Sequence, residues 1–528
     1  MSIAIAKDSI NKNNKTFAKM KLVKLLSVSQ FALLTLGSAS TSLWAAAVSQ
    51  NEFWVSALPN SNPNPAGTIA DPYDGSTQIN FDSVMNNLPP NCTIHLLGGT
   101  YMTKGSGSGF AIKTGQRILG SGMDITTIQL TNSSSCIVLN NTDVNATGIE
   151  VSDLTLDANA QNNGTTTTFG GIVISGSRSA IRRIKVVNMS LGTDGPIEVY
   201  GIAVVGYGFL NISCDDVVIE DCVVMPPIAG HESDGISLFA GDGGYVSARI
   251  SGNWIYGTND LTFQAFNLCS SLNTLLTDNH VIGAGTASVG IYSDSGGNTN
   301  LTVVNNDFQN VVAGVALFNY AHPNLYIAEN TFELAYRPGS WSAAVSLWID
   351  RSGSFVNEKM VGNTITAYDI AGNSFYAFLS DGTTNLIVAD NSIDSRFGWF
   401  FDGCTNVNLH DNVDLLGNFL SSTNQIELPN SLTRTSLAPF ITTYQAQNWD
   451  HYIGVTGVNA SGTTTITLPL PFGMPGKDFI IADETGSKTI QIVASGGATI
   501  NGSSNPVTFI GGYAAKTVTS DGSNWFAR

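Results

Sequence analysis

The chain has 528 residues and a formal net charge of −17, with 23 Lys and Arg against 40 Asp and Glu. Charged residues make up only 12 % and Gly numbers 54, which fits a β-rich, turn-rich extracellular protein and not a helical cytosolic enzyme. Beyond residue 47 nothing concentrates positive charge on one stretch, which argues against nucleic acid as a partner.

Residues 1–47 hold Lys7, Lys12, Lys15, Lys19, Lys21 and Lys24, then an apolar run from Leu22 to Leu36, then Ser-Leu-Trp-Ala45-Ala-Ala47. Basic, apolar and small residues in that order predict a secretory signal, with Met20 an alternative start. A membrane helix is the other reading, but Ser27, Ser29 and Gln30 interrupt the run and it is too short to span. Loss of residues 1–47 removes six Lys and one Asp and takes the net charge from −17 to −22. The expected location is secreted or at the cell surface, the periplasm included, with no membrane partner once the signal is gone. Six cysteines lie beyond it, at 92, 136, 214, 222, 269 and 404, with no Cys-x-x-Cys pair to suggest a metal. Cys214 and Cys222 are close enough in sequence to bridge, whereas small apolar residues in an interior is the preferred reading.

Phe53 to Asp74 is rich in Pro, Asn and Gly and is predicted as loop. A short helix over Phe81 to Leu88 is expected to cap the open end of a run of strands, at Thr93–Leu97, Gly98–Tyr101, Gly115–Leu119, Ile128–Leu130, Ile137–Leu139, Val151–Leu156, Gly171–Ile174 and Ile181–Val186. Two loops interrupt them, Asp157 to Phe169 and Pro226 to Asp234, and long loops on a repeating structure edge the working face.

From Val218 to Leu415 one phrase recurs: a small or polar residue, Asn, any residue, an apolar residue. It carries Asn253, Asn279, Asn306, Asn330, Asn363 and Asn391, with a degenerate first copy at Asp221 and a last at Asn412. Between the copies stand Gly235-Ile-Ser-Leu-Phe239, Gly290-Ile-Tyr-Ser-Asp294, Gly314-Val-Ala-Leu-Phe318, Ala344-Val-Ser-Leu-Trp348 and Gly398-Trp-Phe-Phe-Asp402. One coil cannot bury its own apolar face, so stacked coils need similar residues at each station. The pattern predicts a coil of parallel strands, two per period, with Asn at left-handed corners. Over Phe53 to Asn418 the run resembles the right-handed parallel β-helix proteins of the pectate lyase and polygalacturonase superfamily. That resemblance implies an all-β fold, a right-handed single-stranded parallel β-helix. The fold hosts lyases, hydrolases, tailspikes and adhesins, so it does not by itself give function.

Alternation along the second phrase maps one sheet. Ile236, Phe266, Ile291, Val315, Val345, Ala377 and Trp399 form one inward column, and Leu238, Leu268, Ser293, Leu317, Leu347, Leu379 and Phe401 another. The outward columns are Ser237, Asn267, Tyr292, Ala316, Ser346, Phe378, Phe400 and Phe239, Cys269, Asp294, Phe318, Trp348, Ser380, Asp402. Flat apolar surfaces beside carboxylates suit a polysaccharide, which makes Tyr292, Phe318, Trp348, Phe378, Phe400 and Asp402 the candidate binding residues. A loop, the C-terminal region or a second subunit covering those aromatics is the alternative.

Glycoside hydrolysis takes two carboxyls. His231-Glu232-Ser233-Asp234-Gly235-Ile236 resembles the polygalacturonase Asn-Thr-Asp-Gly-Ile phrase at Asp234, Gly235 and Ile236, while the family's Asp-Asp pair and Gly-His-Gly are missing. Asp234 and Asp294 are the candidate pair, with His231 positioning and Glu232 or Asp260 as alternatives; Asp-Gly before a strand is also ordinary turn chemistry. No cofactor is called for in hydrolysis. A lyase needs a base and either Ca²⁺ or an Arg, roles for which His231, Arg249, Lys359 and Asp350-Arg351 are available. A non-catalytic glycan-binding adhesin or tail-fibre-like protein is the rival function.

After Asn412 the phrases stop. Thr464–Leu468, Phe479–Ile481, Thr489–Val493, Val507–Phe509 and Lys516–Val518 read as a small β domain. Its Gly476-Lys-Asp-Phe-Ile-Ile481 and Ser520-Asp-Gly-Ser-Asn-Trp525 phrases look like the distal β modules of phage tail fibres, which implies attachment or homo-oligomerisation. The expected organisation is a signal region (1–47), a β-helix with its cap (48–420), a linker (421–447) and a C-terminal β domain (448–528).

Overall fold

The computed structural model describes residues 51–528 except 132–136, 164–169, 191–198, 229–232, 242, 258–262, 285–287, 336–341, 349–354, 368–374, 395–396, 403, 415–425, 428–432, 438–441, 447–449, 456–461, 472–477, 513 and 522. The signal region therefore lies outside the described residues.

The coil begins earlier than its composition suggests. Asn51–Ser56 is a strand that pairs in parallel with Cys92–Leu96, Phe53 opposite Ile94 and Val55 opposite Leu96. Tyr73–Asp74, at the end of the expected loop, is also a strand and pairs with Val55 and Ser56, so only the stretch between these strands is loop. The capping helix spans Gln78–Asn87, with the Thr77 side chain accepting from the Asn80 N–H. It buries Phe81 against Tyr101 and Phe110, ring centroids 4.9 and 5.5 Å apart. Asp82 faces the coil as well, accepting from the Thr103 hydroxyl at 2.6 Å and the Lys104 N–H at 3.1 Å. That closes the open end of the solenoid with both an apolar and a polar lock.

Each full coil supplies three strands, one more than expected. Phe263–Cys269, Leu275–Thr277 and His280–Ile282 make one coil, and each pairs in parallel with its counterpart in the next: Phe266 with Ile291, Leu276 with Val303, Val281 with Phe308. The first kind builds an eleven-stranded parallel sheet and the other two kinds build the larger sheet. The missed strand follows a second Asn phrase, at Asn273, Asn300, Asn324, Asn357 and Asn385, each at φ between 51° and 64°. These asparagines hold true left-handed corners, and their amides join successive coils at 2.7 to 3.0 Å.

The first Asn phrase works differently from the expectation. The left-handed residue is the one before the Asn: Asp278 (φ 57°), Asn305 (55°), Glu329 (57°) and Asp390 (57°). The Asn itself is buried, and its side-chain oxygen accepts from the backbone N–H and the amide of the coil before. The ladder runs Asn253, Asn279, Asn306, Asn330, Asn363, Asn391, Asn412, with amide contacts of 2.8, 2.8, 3.0, 3.0, 2.9 and 2.8 Å.

One core fills the β-helix and a second fills the C-terminal domain. The second domain starts before its expected boundary, since Thr433–Leu437 and Thr443–Gln445, within the supposed linker, pair in parallel with Asp450–Val455 and Thr463–Leu468. Two sheets of parallel strands are closed by antiparallel strands, Ala515–Ser520 against Asp478–Asp483 and Val507–Ile510 against Thr489–Ala494. Trp525 is fully buried there and its indole N–H donates to the Pro469 carbonyl at 3.2 Å.

Cys92, Cys214 and Cys222 are buried free thiols, Cys269 is buried and Cys404 half-buried; Cys136 lies outside the described residues. No helix among the described residues is long and apolar enough to cross a membrane.

Candidate functional site

The candidate site is the outward face of the eleven-stranded sheet, and its layout depends on a break in strand alternation. A Cβ built on Gly235 would lie 2.5 Å from Ile255 Cγ2, and one on Gly314 would lie 2.2 Å from Phe332 Cδ1. Those positions point inward, as do the residues after them, Ile236 and Val315. Two consecutive inward residues make a bend, and only Gly or Ala fits its first position; Ala265, Ala344 and Ala377 hold it in other coils, all fully buried. Strict alternation sends Asp234 inside with Ile236. The bend returns it to the outer face, where the Asn267 amide donates to its Oδ2 at 2.9 Å.

Asp234 is not a turn residue. It lies in the strand Ser233–Phe239 and is 1 % exposed. From it a hydrogen-bonded chain crosses the face: the Asn267 amide donates to Asp234, the Cys269 thiol donates to Asn267 Oδ1 at 3.1 Å, and the Ser295 hydroxyl, 2.8 Å from Cys269 Sγ, donates to that sulfur. Beside Ser295 stands Asp294, half-buried, accepting from the Tyr292 hydroxyl at 2.9 Å. Burial pushes the Asp294 carboxyl above the ordinary range for aspartate, against the hydrogen bonds from Tyr292 and Ser295 that hold it down.

Asp234 and Asp294 do not converge. Asp294 shares the station of Phe239, five residues beyond Asp234, and lies two strands further on. With ~3.3 Å per residue and ~4.8 Å per strand their Cα atoms are roughly 15 to 19 Å apart, beyond the ~5 to 9.5 Å of a hydrolytic carboxyl pair. The register thus corrects the pairing of these two aspartates.

The aromatic strip is shorter than expected. Phe378 pairs with Val345 and Trp399, is fully buried and packs edge-on against Trp399 at 5.7 Å. The inward station belongs to Phe378 and the small bend station to Ala377, one residue away from the alignment by alternation. Leu379 is consequently outward and Ser380 inward, and Asp381, not Ser380, follows Trp348 on the outer face. Ser237, Asn267, Ala316, Ser346 and Leu379 are all below 7 % exposed, so most of the first outward column is covered. What reaches solvent is the second column with Tyr292: Phe239, Asp294, Phe318, Trp348 and Asp381. Tyr292 and Phe318 rings are 5.7 Å apart, and Phe318 pairs directly with Trp348.

His231, Glu232, Asp260 and Asp350-Arg351 lie outside the described residues, as do the side chains of Phe400 and Asp402. The backbone register sets Phe400 beside Leu379 and Asp402 beside Asp381. Arg249 and Lys359 belong to strands of the larger sheet, not to this face, and Arg249 is bound to Glu220 at 2.6 Å. That removes both from the lyase roles. Among the described residues no three of His, Cys, Asp and Glu cluster as a metal site.

No family model and no curated protein sequence matches the chain. Several solved structures are similar in shape. A DFA-IIIase from Arthrobacter chlorophenolicus A6 without its lid has 14 % identity and a TM-score of 0.47, covering 72 % of this chain and 99 % of that one. The Streptococcus pneumoniae surface protein and adhesin PfbA has 15 % identity and a TM-score of 0.46, covering 66 % and 94 %. An exopolygalacturonase from Thermotoga maritima has 12 % identity and a TM-score of 0.35, covering 84 % and 92 %. Polysaccharide-active enzymes and an adhesin thus stand side by side among the neighbours. By its own strand pairing the chain is a right-handed parallel β-helix with a smaller β domain at its C-terminus, and its neighbours are pectate-lyase-like β-helix proteins.

Proposed function

We propose that this is an exported protein that holds a polysaccharide along the strip formed by Phe239, Asp294, Tyr292, Phe318 and Trp348. The observation that carries the reading is the set of half-buried rings Tyr292, Phe318 and Trp348 on successive coils beside a hydrogen-bonded carboxyl, with Phe239 exposed two coils before them, a spacing that lets sugar rings stack and hydroxyls bond in line. The order of basic, apolar and small residues in 1–47 supports export; N-terminal sequencing of secreted protein is expected to start near Ala46 to Ser49.

Cleavage of the glycan is a second reading, favoured by one feature. A carboxyl raised by burial and held by Tyr292 is suited to give a proton to a leaving oxygen, which assigns Asp294 the acid role. Its partner is not Asp234, whose place is structural.

Trp348→Ala is expected to weaken glycan binding by about 1 to 3 kcal/mol with the fold intact. Asp294→Asn is expected to abolish turnover while binding stays near wild type. Titration and reducing-end assays on a polysaccharide panel check both; unchanged binding in Trp348→Ala removes the platform, and binding without turnover on every substrate leaves the adhesin.

A further inference from the structure

The corner that follows Phe318 hides a titratable ring behind the strip. Residues 319–324 lead from the strand Ala313–Phe318 towards Tyr326–Ala328 and are bounded by two left-handed asparagines, Asn319 at φ 66° and Asn324 at φ 61°. The Asn319 N–H donates to the Trp348 carbonyl at 3.0 Å, and Tyr320 is 40 % exposed. Inside the corner His322 is fully buried, its ring stacked on Phe355 of the next coil with centroids 5.2 Å apart. Counted back from the corner asparagine, its station is that of Ser271, Asn298, Phe355 and Thr383 in other coils. A polar column runs through this station. The Ser271 N–H donates to Asn298 Oδ1 at 3.0 Å and the Asn298 N–H to His322 Nδ1 at 3.2 Å, with the Asn298 amide nitrogen also 3.2 Å from Nδ1. A backbone N–H can only donate, so Nδ1 is the acceptor and the neutral ring carries its proton on Nε2.

We propose that this corner is an acid-operated switch, in which protonation of His322 drives the ring out of the coil and opens residues 319–324 beside the strip. The second proton has to go on Nδ1, where it meets the donors of Asn298 and not an acceptor, so the column breaks there and a charge is left in the coil interior. Burial pushes the ring down to about 4 from an ordinary 6.5, against the Phe318 carbonyl, which favours the charged form. The open corner therefore binds a proton that the closed one resists. The closed corner is at full strength above about pH 6.5, weakens as pH falls, and has lost this contribution by about pH 4. Among the described titratable groups on the coils packed against it, Glu358 is uncharged across that window, because burial pushes its carboxyl up to about 9. Lys359 points to solvent, and Asp294 stands on the outer face of the coil before, bonded to Tyr292. Asp350 and Arg351 lie outside the described residues. The switch needs no glycan on the strip; on the platform reading, opening in acid displaces Phe318, at the start of the same segment.

Hydrogen exchange of the full mature chain tests the switch, read by mass spectrometry on a peptide covering residues 318–325 and corrected for the intrinsic pH dependence of exchange. Expected is a protection factor that falls about tenfold or more from pH 6.5 to pH 4, while the strand Val199–Val205 keeps its protection. In His322→Asn the fall is expected to disappear, because the amide supplies the acceptor that Asn298 supplies one coil earlier and takes up no proton. Should His322→Asn fail to fold, His322→Thr replaces it, since Thr383 is fully buried at the same station. Protection that stays flat in the wild type overturns the switch. A fall that persists in the folded variant overturns it as well, because the titrating group is then another one, and so does a fall shared by Val199–Val205, which is loosening of the whole solenoid. None of these outcomes depends on Trp348, so the platform reading stands or falls by its own test.

Discussion

Glu358 shows what a single station in a solenoid demands of its side chain. It lies inside the coil, fully buried, opposite Leu325 in one coil and at the station Leu386 holds in the other. The Leu325 N–H donates to its Oε2 at 2.8 Å, while Oε1 has no hydrogen-bond partner among the described residues. Burial pushes its carboxyl up to about 9 from an ordinary 4.5. Between these values the unfolded chain has lost the proton and the fold keeps it, so unfolding releases a proton and stability falls as pH rises. The contribution is complete below about pH 4.5 and is lost by about pH 9. Glu358→Gln is expected to flatten that decline and to raise the denaturant midpoint at pH 8, as urea titrations across pH 5 to 9 will report. Phe378 provides the second residue-level test. Because it is fully buried, Phe378→Ala is expected to cost about 3 to 5 kcal/mol, against about 1 kcal/mol or less for Phe318→Ala on the half-exposed strip. Equal losses in chemical denaturation would return Phe378 to the outer face.

At the scale of the element, the buried Asn ladder fixes the register between coils. Asn306 Oδ1 accepts from both the N–H and the amide of Asn279, and its own amide donates to Asn330, Leu276 and Val304. Removing it strands at least two buried donors at about 1 to 3 kcal/mol each. Asn306→Ala is therefore expected to lower stability by roughly 3 kcal/mol or more. In the exposed ladder, Asn324→Gly keeps the left-handed corner at φ 61° and is expected to cost about 1 kcal/mol or less. Comparison of the two denaturant midpoints checks the assignment of one ladder to load and the other to corner geometry.

Across the whole molecule, the two cores and the segregation of charge set the division of labour. The larger sheet holds the ion pairs and the eleven-stranded sheet the aromatic strip. The C-terminal domain, with its own core, exposes Leu470, Ile510 and Phe526, at 54, 71 and 46 %. Apolar side chains left out in that way are a reason to assign this domain to self-association. Light scattering is expected to give a multiple of the monomer mass for the full chain and a monomer for a chain ending at residue 430; a monomeric full chain ends that proposal.

The coil was legible in the sequence because its phrases repeat: Asn279, Asn306 and Asn330 each announce a corner, and Gly290-Ile-Tyr-Ser and Gly314-Val-Ala-Leu announce a strand, since every coil must meet its neighbour with the same residues. Tyr292, Asp294, Phe318 and Trp348 were legible as outward for the same reason. The third strand was not, because in the middle coils Leu275–Thr277, Thr302–Val304, Tyr326–Ala328 and Lys359–Val361 are three residues long, too short for periodicity to register. Nor was the side of Phe378. Alternation is a local rule, and the inward bend at Gly235, Ala265 and Ala377 breaks it by one residue, which only packing against Ile255 and its equivalents reveals. The separation of Asp234 from Asp294 was likewise decided in three dimensions. Five stations along a strand and two strands across are distances that the one-dimensional order of the chain does not contain.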